Sequence, residues 1–221
     1  MVRSPRATLV SVARTPQSLD LAVLIVVISA ICSVGFLMTR VGRLAALDQE
    51  VRQLESMGTV VTAEFYARLR AMLPYRSVLS AGGIIVGWPL LWAFTAMMLT
   101  ALGNRVTQRH ATFAQMFAVV VHASSVLAVR AIISTPLNFA REALGGATSL
   151  SMLIPGLGES TFAARLFGAV DVFALWWIVL LAMGLSILYQ TRTFPVARWL
   201  FGAYAVGAVA LALTQALRGG I

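Results

Sequence analysis

Residues 19–38 read LDLAVLIVVISAICSVGFLM, twenty positions whose one ionisable carboxylate, Asp20, stands at the edge. A helix of about 20 apolar residues crosses the ~30 Å hydrocarbon layer of a bilayer. Inside that layer a backbone without water satisfies its N–H and C=O groups by staying helical. Four further runs share the pattern, at 78–102, 113–137, 165–189 and 194–217. Together they predict an all-α membrane protein, a five-transmembrane-helix bundle forming one domain over 1–221.

Composition agrees. The chain is 59% hydrophobic and 11% charged, with a mean hydropathy of +0.87, outside the ordinary range for soluble domains. Its net charge of +9 rests on 17 arginines and no lysine, which fits a GC-rich bacterial genome. No basic face interleaved with aromatics accompanies that charge, so a nucleic-acid partner is not expected. Arginines at span ends are anchors against the headgroups of membrane lipids. Cys32, the single cysteine, lies within the first run and can form no internal disulfide and no cysteine-based metal site. Neither a metal nor a cofactor is expected. The N-terminal arginines precede an apolar run long enough to be retained, and Ile31 stands where a lipoprotein-type cleavage site would want a small residue, so the run is read as a signal anchor.

Arginine placement sets the expected orientation. The two shortest loops, 103–112 and 190–193, are purely basic, which puts them, and the N-terminus with Arg3, Arg6 and Arg14, on the cytoplasmic side of a bacterial inner membrane and the C-terminus outside. The long first loop carries six arginines, and raw counting slightly favours the inverse. Those six share their loop with Asp48, Glu50, Glu55 and Glu64, and tight loops carry the rule best.

After the first span the helix is expected to continue, with Leu44, Leu47, Val51 and Leu54 spaced three and four apart. Gly58 ends it. Phe65, Leu69 and Met72 then form a second apolar stripe that Pro74 should stop. The two arms make an extramembrane helical hairpin over 43–73, whose stripe either covers its own bundle or docks another protein. The outer loop, 138–164, carries turn signals at Gly145-Gly146 and from Pro155 to Gly158, around an apolar patch at 150–154 expected at the membrane interface.

Arg130, His122 and Asp171 stand out within the spans, because a charge near the bilayer centre costs about 2.5–3.5 kcal/mol on insertion scales. Arg130 lies seven residues before the outer end of the third span, and Asp171 six after the outer start of the fourth. At about 1.5 Å per residue both sit roughly 10 Å below the same surface, where they can pair and fix helix register. A relay for protons or substrate is the alternative. His122, beside Ser124 and Ser125, has too few partners for a metal and is expected to hydrogen-bond a neighbouring helix. Trp88, Trp92, Trp176 and Trp177 read as bundle packing. Gly82, Gly83 and Gly87 beside Pro89 could loosen the second span.

Membrane-enzyme patterns are missing. Gly156–Ser160 reads GLGES in a loop, not the nucleophile of an intramembrane serine protease. The spans hold no glutamate for a metalloprotease, and without lysine there is no phosphate-binding GK[ST] loop. Catalysis is not expected.

Several short motifs carry a resemblance. Ser4-Pro5-Arg6-Ala7-Thr8-Leu9 with Ala13-Arg14-Thr15-Pro16 resembles the amphipathic entry helix of bacterial Yip-domain (Ypt-interacting-protein-like) membrane proteins. Thr112-Phe113-Ala114-Gln115-Met116-Phe117, Thr148-Ser149-Leu150, Asp171 through Trp177 and Met183-Gly184-Leu185-Ser186 are similar, in that order, to the core of the domain. The resemblance implies five helices with a cytoplasmic N-terminus. It also implies, for bacterial members, an accessory role beside an ABC transporter and a membrane fusion protein. The leading expectation is therefore a non-enzymatic inner-membrane scaffold whose hairpin and outer loop meet a transport partner. The second is a small transporter or channel using Arg130, His122 and Asp171. Small residues at Gly184, Gly202, Ala205, Ala208 and Ala212 permit close packing within one chain or in a homo-oligomer.

Overall fold

The computed structural model describes residues 4–56, 58–154 and 162–218. The first helix, α1 (Pro5–Arg14), starts with proline, whose missing N–H is no loss in a first turn. It buries Leu9 and Val12, and it packs on two later helices, α5 (Phe113–Ala123) and α8 (Val172–Leu188). Gln115 Nε2 ties it down by donating to the Ala13 carbonyl at 3.0 Å.

The first apolar run forms α2 (Leu19–Met38), but the helix does not continue into the hairpin. Thr39 is extended, and its Oγ1 accepts from the Gly42 amide at 2.9 Å, so a new helix, α3 (Arg40–Ser56), starts there. The bend brings Gly42 against the Phe36 carbonyl so closely that a Cβ would stand 2.0 Å from that oxygen. Gly58 ends α3 with φ +80, and the Thr59 amide reaches back to the Leu54 carbonyl, a helix end that suits glycine.

The second correction is larger. The hairpin's return arm and the second span are one helix, α4 (Ala63–Thr107), 45 residues and about 68 Å long. Pro74 does not stop it, and Gly82, Gly83, Gly87 and Pro89 leave it helical. A proline inside a helix removes one backbone bond and bends more often than it ends a helix when the flanking sequence is strongly helical.

The third run is two helices, α5 and α6 (Ser125–Ala140), interrupted at Ser124. The fourth run is also split. A short helix, α7 (Phe162–Gly168), precedes α8, and the chain between them turns at Ala169 and is extended at Asp171. The last run is α9 (Thr193–Arg218). The loop after α6 holds a 3-10 turn, Leu150–Leu153, with Met152 and Ile154 exposed. The turn expected from Pro155 to Gly158, and Gly156–Ser160 with it, lie outside the described residues, as does Arg3.

Thus the fold is all-α, with only an isolated bridge between Ser149 and Asp171 among the described residues. Among the described residues four stretches are long and apolar enough to cross a membrane: Leu19–Met38, Val78–Thr107, Phe113–Ala140 and Thr193–Thr214. Helix α8 is apolar but spans 17 residues, about 26 Å. α2 packs on α4 and α6, α5 on α4 and α8, and α8 on α9. Ile25, Trp92, Met116, Val120, Val121 and Leu181 meet in the core. The outer faces stay apolar: Ile31, Leu90, Trp199 and Val206 are each more than 60% exposed. Apolar exposure on this scale suits hydrocarbon, not water.

Candidate functional site

The most polar constellation of the helical bundle gathers at the start of α8. Asp171 caps that helix: its Oδ1 accepts from the Phe173 and Ala174 amides at 2.9 and 3.3 Å, satisfying two of the four amides a helix start leaves open. Its Oδ2 accepts from the Thr148 hydroxyl at 2.5 Å and from Arg130 Nε at 2.9 Å. Backbone bonds hold the two segments together, Leu150 N to Val170 O at 2.8 Å and Val172 N to Thr148 O at 3.1 Å. Tyr204 on α9 closes the far side, accepting from the Asp171 amide and donating to the Ala169 carbonyl, both at 3.2 Å. The carboxylate therefore joins α6, the loop after it and α8, and the Asp171 backbone amide adds α9.

The structure thus brings Arg130 and Asp171 together. It also revises the setting of Asp171, which is a residue before a helix and not one six positions inside it. Thr148 and Tyr204 belong to the site and carry no periodic signal. Thr148 stands in the Thr148-Ser149-Leu150 motif, which could have pointed to it.

Arg130 is the exposed partner. Its side chain keeps 44% of its surface accessible, against 17% for Asp171. That surface faces a cleft of about 280 Å³ between α2, α4, α6 and the loop after α6. Ser29, Cys32, Ser33, Ser134 and Thr135 line the cleft beside apolar Phe36, Ile84 and Trp88.

His122 does not join this group. Its Nδ1 lies 2.8 Å from the Ala118 carbonyl of its own helix, not on a neighbouring helix as expected. Nδ1 sits next to the ring's attachment point and reaches the preceding turn more easily than another helix. His122 lines a different cavity, shared with Pro16–Leu21. A relay through Arg130, Asp171 and His122 therefore lacks a common site.

The tryptophans divide. Trp92 is buried and lies 6.0 Å from Trp88 between ring centroids. Trp177 Nε1 donates to Ser124 Oγ at 3.0 Å, while Ser124 Oγ donates to the Val120 carbonyl at 2.8 Å, so the break between α5 and α6 is held from α8. Trp176 is half exposed and is not bundle packing, because neighbours on a helix point about 100° apart. Gly184 does pack closely: a Cβ there would stand 2.2 Å from Val119 Cγ1. On α9, Ala208 and Ala212 are buried whereas Gly202 and Ala205 are exposed, so these small residues do not share one contact.

The hairpin stripe closes largely on itself. Leu47, Leu69 and Leu73 are buried together, with Val51, Leu54 and Phe65 packed against them. Leu47 and Leu69 are unavailable to a partner while the hairpin is closed. Leu44 and Met72 remain exposed, with Val60 at the turn.

Among the described residues no group of three or more His, Cys, Asp or Glu side chains is placed to hold a metal. A family model described as the Yip1 domain matches residues 1–214. No curated protein and no solved structure matches the chain.

Proposed function

We propose that this chain, which belongs to the Yip1 domain family, is a non-enzymatic scaffold of the bacterial inner membrane that presents its hairpin to a transport partner. The observation that carries this reading is the continuity of α4 from Ala63 to Thr107. A force or a bound subunit on the hairpin acts directly on a membrane helix, with no loop to absorb it. In this reading α8 is the fifth span, shortened by the Asp171 cap. The N-terminus is cytoplasmic and the hairpin outside, where a membrane fusion protein beside an ABC transporter would meet it. Exposed Leu44, Val60 and Met72 supply the contact, and the buried seam supplies rigidity.

Affinity purification of the full chain from native membranes tests this reading. Transporter and fusion subunits should be recovered with the wild type and lost when Leu44, Val60 and Met72 are all changed to serine. No recovered partner, or recovery unaffected by the triple change, would refute the accessory role.

A further inference from the structure

The exposed part of Arg130 poses a physical problem that the ion pair does not solve. Of its nitrogens, Nε serves Asp171 and lies 3.4 Å from Thr148 Oγ1, while the two terminal nitrogens make no hydrogen bond to any described residue. Guanidinium donors left facing hydrocarbon are costly, so something polar must cover them. The cleft they face has room for roughly nine waters or one small headgroup. Asp171 does not cancel the need, because its charge is already shared among two amides, a hydroxyl and the start of α8.

Two further features of the cleft narrow the ligand. Asn138, also in its lining, keeps a buried Oδ1 with no hydrogen-bond partner, an acceptor that wants a donor. The walls around Ile84 and Trp88 are apolar, and Ile31 and Ile85, next in sequence to the lining residues Cys32 and Ile84, are exposed on α2 and α4. Donors for an anion, an acceptor for a hydroxyl or ammonium, and a greasy rim match a glycerophospholipid whose headgroup carries its own donor.

We propose that this cleft binds one glycerophospholipid of the phosphatidylglycerol or phosphatidylethanolamine type. Its phosphodiester sits against the terminal nitrogens of Arg130, its headgroup donor turns toward Asn138, and its acyl chains lie along α2 and α4. Planar, paired guanidinium donors favour a phosphate over a single carboxylate oxygen. A free inorganic phosphate shares the anion chemistry but brings no acyl chain for the rim.

Native mass spectrometry of the full chain, released from nanodiscs of phosphatidylglycerol and phosphatidylethanolamine, reads the bound lipid directly. One retained phospholipid per chain is expected. Because Arg130 also holds Asp171, the deciding variant is Ser134→Leu, which fills the cleft one turn from Arg130 and keeps both partners of the ion pair. Lipid retention should fall about tenfold, a difference of one decade in Kd, with the melting temperature kept. Ala131→Leu, on another part of the lining, serves as the readout if Ser134→Leu fails to fold. Undiminished retention in the filled variant, no lipid on the wild type, equal retention of phosphatidylcholine, or displacement by millimolar inorganic phosphate would each overturn the proposal.

Discussion

Replacing Asp171 tests whether one carboxylate ties three segments together. Asp171→Ala removes every bond its two oxygens accept: two α8 amides, the Thr148 hydroxyl and Arg130. Loss of a helix cap costs about 1 kcal/mol, and a hydrogen bond to a charged group about 1.5–3 kcal/mol. The ion pair adds about 1 kcal/mol or less, discounted because Arg130 is 44% exposed. These losses share atoms and do not add fully, so a net destabilisation of about 3 kcal/mol is expected. Asp171→Asn separates the contributions. Asparagine caps as well as aspartate with its one oxygen, but its NH2 then stands where Oδ2 was and accepts from neither Thr148 nor Arg130, so it should cost about 2 kcal/mol, the whole loss less the cap. Reversible unfolding in mixed dodecyl maltoside and SDS micelles, followed by tryptophan fluorescence, measures both. A cycle with Arg130→Met isolates the coupling, expected near 1 kcal/mol. If Asp171→Ala costs under about 1 kcal/mol, the bonds described do not hold the fold. Equal losses for Asn and Ala would show that the cap contributes nothing.

Three other substitutions report on separate contacts. Gly184→Ala drives a methyl into fully buried, β-branched Val119 and should cost about 1–3 kcal/mol in the same assay, whereas Gly202→Ala, with nothing within 4 Å, should cost nothing measurable. Trp177→Phe keeps the ring packing but frees Ser124; a loss of about 1 kcal/mol is expected, and an unchanged midpoint would mean that the break after α5 holds itself. Leu47→Ala opens a cavity in the hairpin seam worth about 2 kcal/mol or more, and limited proteolysis should then cut within 43–73 while the membrane-embedded helices stay protected.

Much of the architecture is legible because hydrocarbon imposes a length and a polarity that few soluble segments meet. The run at 19–38 becomes α2 from end to end, and the hairpin turn falls at Gly58, where φ is positive. Legibility fails where two local signals compete. Pro74 is a stop signal in isolation, yet helical residues on both sides carry α4 through it. Thr39 gives a weak signal in a run expected to stay helical, yet its hydroxyl starts α3.

The same competition explains the site. Hydropathy counts Phe167, Ala169, Val170 and Val172 alike, so the run from 165 to 189 looks continuous and Asp171 looks like a charge stranded inside a helix. A stranded carboxylate needs one partner, and depth alone points to Arg130. A carboxylate that ends an extended segment needs several, because it also meets the open amides of α8 and the neighbouring loop. The split in the fourth run and the polar cluster are therefore one feature: the backbone groups released between α7 and α8 require the polar atoms of Thr148 and Tyr204, and those atoms position Asp171 to hold Arg130 at the floor of the cleft.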